Sequence, residues 1–330
     1  MENALFHALV EEAALAPSAH NTQPARWVLD GDQMHLGCAA EAALPVADPT
    51  DHDTLFGCGT ALEGMMIALS RHGLRGDVQS GDGGVGQGVL AMVRVTGDGA
   101  DPDPLADCVP RRFTCRDGFA PVSTEQMRAL KGWAEAAPGV QLITGQDGLR
   151  ALSDQNDALS LRWFKDAEFR RELMAWSRMS PQHPRWEKDG LNASALGLSR
   201  IAALAMPWVM KGPVLGLLRA LGLAKGLLSE RDKTLQAAGV CFLTVPQAMT
   251  PVDAGRRYYR IVLELTALGF ATWPMSVIKD DPATHADWLE RFGLSGQARI
   301  VACLRVGVPG GAAPHRARRP LNEVIGASPT

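Results

Sequence analysis

The chain has 330 residues, enough for one large domain or two smaller ones. Hydrophobic residues make up 46% of it, charged residues 21%, and the formal net charge is −3, which is ordinary for a globular protein and offers no electrostatic footprint for nucleic acid. Its six cysteines (Cys38, Cys58, Cys108, Cys115, Cys241, Cys303) form no CxxC pair and have no zinc spacing with histidine, so no metal site and reduced thiols in a cytoplasmic protein are expected.

The opening "MENALFHALVEEAA" lacks the basic and apolar regions of a secretion signal, and its apolar residues recur at helical spacing over 3–15 until Pro17 stops the helix. "APSAHNTQP" (16–24) follows, two prolines enclosing Ser18, His20, Asn21, Thr22 and Gln23, and then a strand near 26–30. A helix is expected over 54–72 and a buried strand over 89–95. The Pro/Gly/Asp run at 97–104 is the best internal boundary, dividing the chain into a first half, residues 1–104, and a longer second half, residues 105–330. Beyond it come a helix at 123–137 capped by Ser123 or Thr124, a strand at 140–144, helices within 147–176, a very apolar helical stretch at about 190–230, a strand at 238–245, a helix at 254–268 and a strand at 299–308.

Two stretches align. "GTALEGMMIALSRHGL" begins at Gly59 and "GRRYYRIVLELTALGF" at Gly255; each reaches a second glycine 14 residues on, and each precedes a strand ending in Arg-Val. The components of a site are divided between the halves. The amide-rich loop occurs in the first, whereas the arginine clusters "RRFTCR" (111–116) and "HRARRP" (315–320) lie in the second. Guanidinium forks and the Thr114 hydroxyl suit a phosphate. Asn21 and Gln23 offer paired donors and acceptors that suit the edge of a flavin ring.

"LAPSAHNTQPARW", "RRFTCRDGF" and "HRARRPL" together resemble the FMN-dependent nitroreductase family, in particular its tandem single-chain Acg-like branch of about this length. The resemblance covers essentially the whole chain. It implies an α+β fold of two pseudo-symmetric halves, each a mixed sheet flanked by helices, that mimic the family homodimer. It also implies that Pro17, Ser18, Asn21 and Gln23 line the flavin ring, and that Arg112, Thr114 and Arg116 hold phosphate and ribityl groups with help from Arg316 and Arg318. "WPMS" (273–276) matches the segment beside the ring, with Met275 and Ser276 there, one backbone N–H pointing at N5. Phe113 and Ala25 depart from the family pattern, at positions commonly polar and tryptophan respectively.

The implied activity is an oxidoreductase acting on a small organic molecule (a nitroaromatic, quinone or enone) with NAD(P)H as donor, functional as a monomer with one FMN. The rival is an FMN storage protein with little turnover. No catalytic group beyond the flavin is required; Tyr258, Tyr259 and His183 are the weaker candidates. "GDGGVG" (81–86) precedes a strand instead of opening a helix, so it is no dinucleotide fingerprint. The apolar stretch 196–228 has no run long enough to span a bilayer. It is expected to be a lid over the flavin combined with core, the competing reading being a helix on a membrane surface.

Overall fold

The computed structural model describes residues 1–326, the side chain of Lys225 excepted. Residues 1–104 contain α1 (Asn3–Ala13), the hairpin β1 (Ala25–Asp30) and β2 (Gln33–Cys38), α2 (His52–Arg71), β3 (Leu74–Ser80) and β4 (Ala91–Asp98). Helix α1 forms where the periodicity places it, with Phe6, Leu9, Val10 and Ala13 buried on one face. The strands pair in the order β1-β2-β4-β3.

Next come β5 (Phe119–Ala120) and α3 (Thr124–Ala136), whose N-terminus carries a capping box between Ser123 and Gln126. Then come β6 (Val140–Ile143), α4 (Gln146–Trp163), α5 (Ala167–Ala175), β7 (Ser177–Arg178), β8 (Leu191–Asn192), α6 (Arg200–Val209), α7 (Gly212–Ala220), α8 (Leu223–Leu228) and α9 (Arg231–Leu235). The chain ends with β9 (Gly239–Pro246), α10 (Pro251–Ala267), β10 (Ala271–Pro274), α11 (Ser276–Asp280), α12 (Pro282–Arg291), β11 (Ala298–Pro309) and α13 (Leu321–Val324). Its main sheet runs β6-β9-β11-β10, with β5 added on β11.

The two sheets therefore share one strand order, and their connectivity differs by the elements α4 to α9 inserted between β6 and β9 and by α11 and α12 between β10 and β11. Every pairing within them is antiparallel, so the expectation of mixed sheets is corrected. Parallel pairing is confined to β7 with β8 and to isolated bridges. Two of those bridges join distant stretches of chain: Ile325 lies beside Trp27, and Thr114 beside Thr272.

Helices α2 and α10 pack against each other at the centre, and two glycines set how closely. A Cβ on Gly59 would lie 2.0 Å from the Val252 carbonyl oxygen, and a Cβ on Gly255 would lie 2.0 Å from that of Phe56. The contact is reciprocal, since each glycine meets the residue three before the other. Only a residue without a side chain lets two helix backbones approach so closely.

The apolar stretch does not do what was expected of it. Leu196 touches the central cavity described below, but α6, α7 and α8 do not line it. Their outward side chains face solvent, so the lid assignment for this segment is replaced by an exposed platform.

Candidate active site

A cavity of about 310 Å³, lined by residues from Pro17 to Leu304, is within the usual size of small-molecule pockets and adjoins a narrower one of about 110 Å³. Pro17, Ser18, His20, Thr114, Arg116 and Leu191 line both. Asp53 and Phe56 on α2 face Tyr258 on α10, and Ser276 and Lys279 come from α11. The wall over the top is aromatic, made by Trp163 at the end of α4 and Phe169 on α5, whose rings are 5.1 Å apart. Backbone N–H groups of Val46 and Ala47 donate to Glu172 at 2.9 and 2.8 Å, which pins α5 over this opening.

The narrow compartment is strongly basic. Arg112, Arg116, Arg316 and Arg318 all line it, and none forms an ion pair with a carboxylate among the described residues. Arg116 donates to the Ala195 carbonyl at 2.9 Å. Arg316 donates to the carbonyls of Pro110 and Arg112, and Arg318 to Leu15 and Asn21. Arg112 is only 6% exposed, and its Nε has no hydrogen-bond partner. Burial, with Arg112 and Arg316 close by, pulls Arg318 down to about 9; burial likewise pulls Arg116 down to about 10. Arg112 is buried and Arg116, Arg316 and Arg318 are half-buried, and gathering cations there without counter-ions is costly. A dianion with several acceptor oxygens is the group that resolves this arrangement, so the residues fit a phosphate.

The amide loop has a different task from the one expected. Gln23 lines neither compartment; its Nε2 donates to the Lys188 carbonyl at 2.8 Å and its Oε1 accepts from the Arg319 N–H at 2.9 Å. Asn21 reaches the narrow compartment, but its Oδ1 accepts from Arg318 at 3.1 Å and its Nδ2 donates to Ala317 and Gly190 carbonyls at 3.3 Å. The loop thus clamps the C-terminal segment and aims its arginines. His20, Asn21 and Gln23 all adopt positive φ, so the backbone is strained into this clamp.

No family model matches the chain. It is 28% identical to a Mycobacterium tuberculosis protein named "Putative NAD(P)H nitroreductase Rv3131", over 95% of this chain and 88% of that protein. Over nearly its whole length the chain is thus similar to a protein named as a nitroreductase. A second M. tuberculosis relative carrying the nitroreductase name, acg, is 31% identical over 70 residues, 21% of each chain. Similar solved structures include the FMN and NADPH-dependent nitroreductase NfnB from a Sphingopyxis strain (20% identity, 68% of this chain, 98% of that one, TM-score 0.36). Another is NfnB from Mycobacterium smegmatis in complex with NADPH (19% identity, 62% and 89%, TM-score 0.31).

Of the residues singled out in the sequence, Pro17, Ser18, Thr114, Arg116, Tyr258 and Ser276 all line the larger cavity. Met275 does not. Its side chain is buried in the core beside Ile278 and its N–H donates to the Cys303 carbonyl at 2.7 Å, so neither is free to meet a ring. Tyr259 is fully buried outside the cavity, although its hydroxyl lacks a partner. His183 sits in a turn, where its Nδ1 accepts from the Arg185 N–H at 3.1 Å, away from both compartments.

Sequence reasoning missed the ionisable end of the larger cavity. Lys279 Nζ lies 3.0 Å from Asp53 and also donates to Asp280. Burial, only partly offset by Lys279, pushes Asp280 up to about 6. Isolated Asp and Lys residues 226 positions apart carry no sequence signal. His20 lay inside the noticed loop but was assigned no role. Burial and the neighbouring Arg116 push its pKa down to about 4, and its Nδ1 has no partner.

A depressed histidine pKa makes a stability prediction with a definite sign. The unfolded chain takes up this proton near pH 6.5 and the folded chain near 4, so stability is present above 6.5 and is lost as pH falls. At pH 5 the loss is about 2 kcal/mol. Asparagine tolerates positive φ, so His20→Asn is expected to fold and to lose about that much less between pH 7.5 and 5. Urea unfolding of the flavin-free proteins measures it, and equal losses in both would refute the assignment.

Proposed function

We propose that the protein is a flavoprotein oxidoreductase that binds FMN across the two compartments and transfers electrons from NAD(P)H to a small organic substrate. The observation that carries this reading is the cluster of Arg112, Arg116, Arg316 and Arg318 without a carboxylate among the described residues, next to a larger cavity that is mainly apolar with one ionisable end. The names of the relatives, NAD(P)H nitroreductases, support the same chemistry. When bound, FMN supplies hydride acceptance and donation at its ring. This chain's residues bind and orient it: the arginines and Thr114 hold the phosphate, Asn21 positions Arg318, and Pro17, Ser18, Tyr258 and Ser276 border the ring.

Residues 1–104 and 105–330 act in this reading as the two halves of a fused pair. Shared strand order and the reciprocal Gly59 and Gly255 contacts support it. The amide loop comes from one half and the arginines from the other, so one complete site forms per chain and a monomer suffices. The cytoplasm, where buried Cys38, Cys58, Cys108, Cys115, Cys241 and Cys303 stay reduced, is the fitting compartment.

The purified protein is expected to be yellow with one FMN per chain, by flavin absorbance against mass with light scattering in the same run. NADPH or NADH added without oxygen should bleach it promptly. Two flavins per chain would overturn the single-site reading. Indifference to both nucleotides, with bleaching by dithionite, would instead make it a flavin store.

A further inference from the structure

We propose that α6, α7 and α8 form a docking surface for an anionic lipid bilayer. Eight large apolar side chains are exposed among the described residues, and seven belong to this one segment: Ile201, Leu204, Trp208, Leu217, Leu221, Leu223 and Leu227, between 56% and 81% exposed. Ile201, Leu204 and Trp208 recur at helical spacing, so α6 presents an apolar stripe outward. The helices are nonetheless seated on the protein. Ala203, Met210, Leu215 and Ala224 are buried beneath them, and Arg170 donates through Nε to the Met210 carbonyl at 3.1 Å. An apolar face this concentrated on a packed platform marks an interaction surface.

Charge selects the partner. Residues 190–229 contain no aspartate or glutamate, whereas Arg200, Lys211, Arg219 and Lys225 are all basic. Arg200, Lys211 and Arg219 form no ion pair with a carboxylate among the described residues. Lys211 Nζ lies 3.9 Å from the centre of the Trp208 ring, a cation and an amphipathic ring placed together as at a headgroup boundary. A two-fold dimer through this face would bring identical cations together with no acid to pair them. An anionic lipid surface takes both features at once.

The segment lies on the membrane and does not cross it. Among the described residues no single helix is long and apolar enough to cross a membrane, and α6 and α7 meet at a 99° bend. The platform is also tied to the cavity, because Arg170, which holds Met210, follows Phe169 in the aromatic wall.

The test is co-sedimentation of the full-length flavin-loaded protein with vesicles of phosphatidylcholine alone and of phosphatidylcholine mixed with phosphatidylglycerol. Binding is expected to the mixed vesicles and to weaken with salt. Lys211→Gln with Arg219→Gln should weaken it about 25-fold, about five-fold per cation. Ile201→Ser, Leu204→Ser and Trp208→Ser combined should abolish it while flavin content and melting temperature are kept, since these side chains point outward. Should that triple variant not fold, Trp208→Ser alone and the charge pair decide. Failure to pellet with mixed vesicles, equal pelleting with neutral ones, or self-association in light scattering that these variants abolish would overturn the proposal, the last by assigning the face to a second copy.

Discussion

Replacing Gly255 by alanine is expected to lower the melting temperature by about 5–10 °C, a cost on the order of 3 kcal/mol for a chain of this size. Helix propensity alone predicts the opposite, because alanine is favoured over glycine inside a helix by about 1 kcal/mol. Sterics decide the sign. The new methyl would sit 2.0 Å from the Phe56 carbonyl oxygen and 3.1 Å from the Gly59 Cα, and neither backbone group can swing aside. The helices must separate, which loosens the buried contacts of Leu62, Met65, Val262 and Leu265. Gly59→Ala should behave alike, for its methyl meets Val252 in the same way. Phe56 and Tyr258, whose rings are 5.1 Å apart at this crossing, also line the cavity, so flavin content should fall with stability. Gly132→Ala is the control: it lies in α3 with nothing within 4 Å of the added methyl, and should stabilise slightly. Thermal unfolding of the three variants distinguishes these outcomes, and a rise in melting temperature for Gly255→Ala would refute the close-packed crossing.

Arg112→Ala with Arg116→Ala is expected to abolish retention of FMN through purification without unfolding the protein. Each charge-assisted contact to phosphate contributes about 1.5–3 kcal/mol, so the pair corresponds to at least a hundred-fold loss of affinity. The flavin-free variant should be no less stable than the flavin-free parent. Arg112 has no carboxylate partner, and Arg116 is held by the Ala195 carbonyl alone, so removing both relieves burial and mutual repulsion instead of breaking ion pairs. Arg178→Ala is the contrast: its guanidinium is paired with buried Asp189 at 2.8 Å, and its loss should destabilise the fold. Flavin titration and thermal unfolding together check both claims. A double variant that retains full FMN would remove the phosphate site from this compartment.

Much of the architecture was legible because periodicity reports burial. Strands β9 and β11 are covered on both faces, so "GVCFLTV" and "RIVACLRVGV" read as continuous apolar runs. Helices α1, α2, α3 and α10 announced themselves by spacing, and Ser123 by its capping pattern. Strands β2 and β3 were missed: "QMHLGC" and "LRGDVQS" mix glycine and polar residues, and β3 is exposed along most of its length. Short β10 was missed for want of length.

The sequence by itself determined the inventory of the site: an amide loop in one half, two arginine clusters in the other, and the glycine pair that recurs. Residue type fixes what a group can donate, accept or neutralise, and that survives without coordinates. Only the tertiary structure decided where those capacities are spent. Gln23 and Asn21 have amides that suit a ring, yet they meet the carbonyl of Lys188 and the guanidinium of Arg318, because hydrogen bonds are satisfied by whatever folding brings within about 3 Å. Met275 was consumed by the core in the same way. Conversely, Asp53, Lys279 and Asp280 became a cluster through a crossing of elements far apart in the chain. The apolar segment turned outward because α6–α8 bury only their small inner face, and hydrophobicity in a sequence says that a residue leaves water without saying which surface it meets.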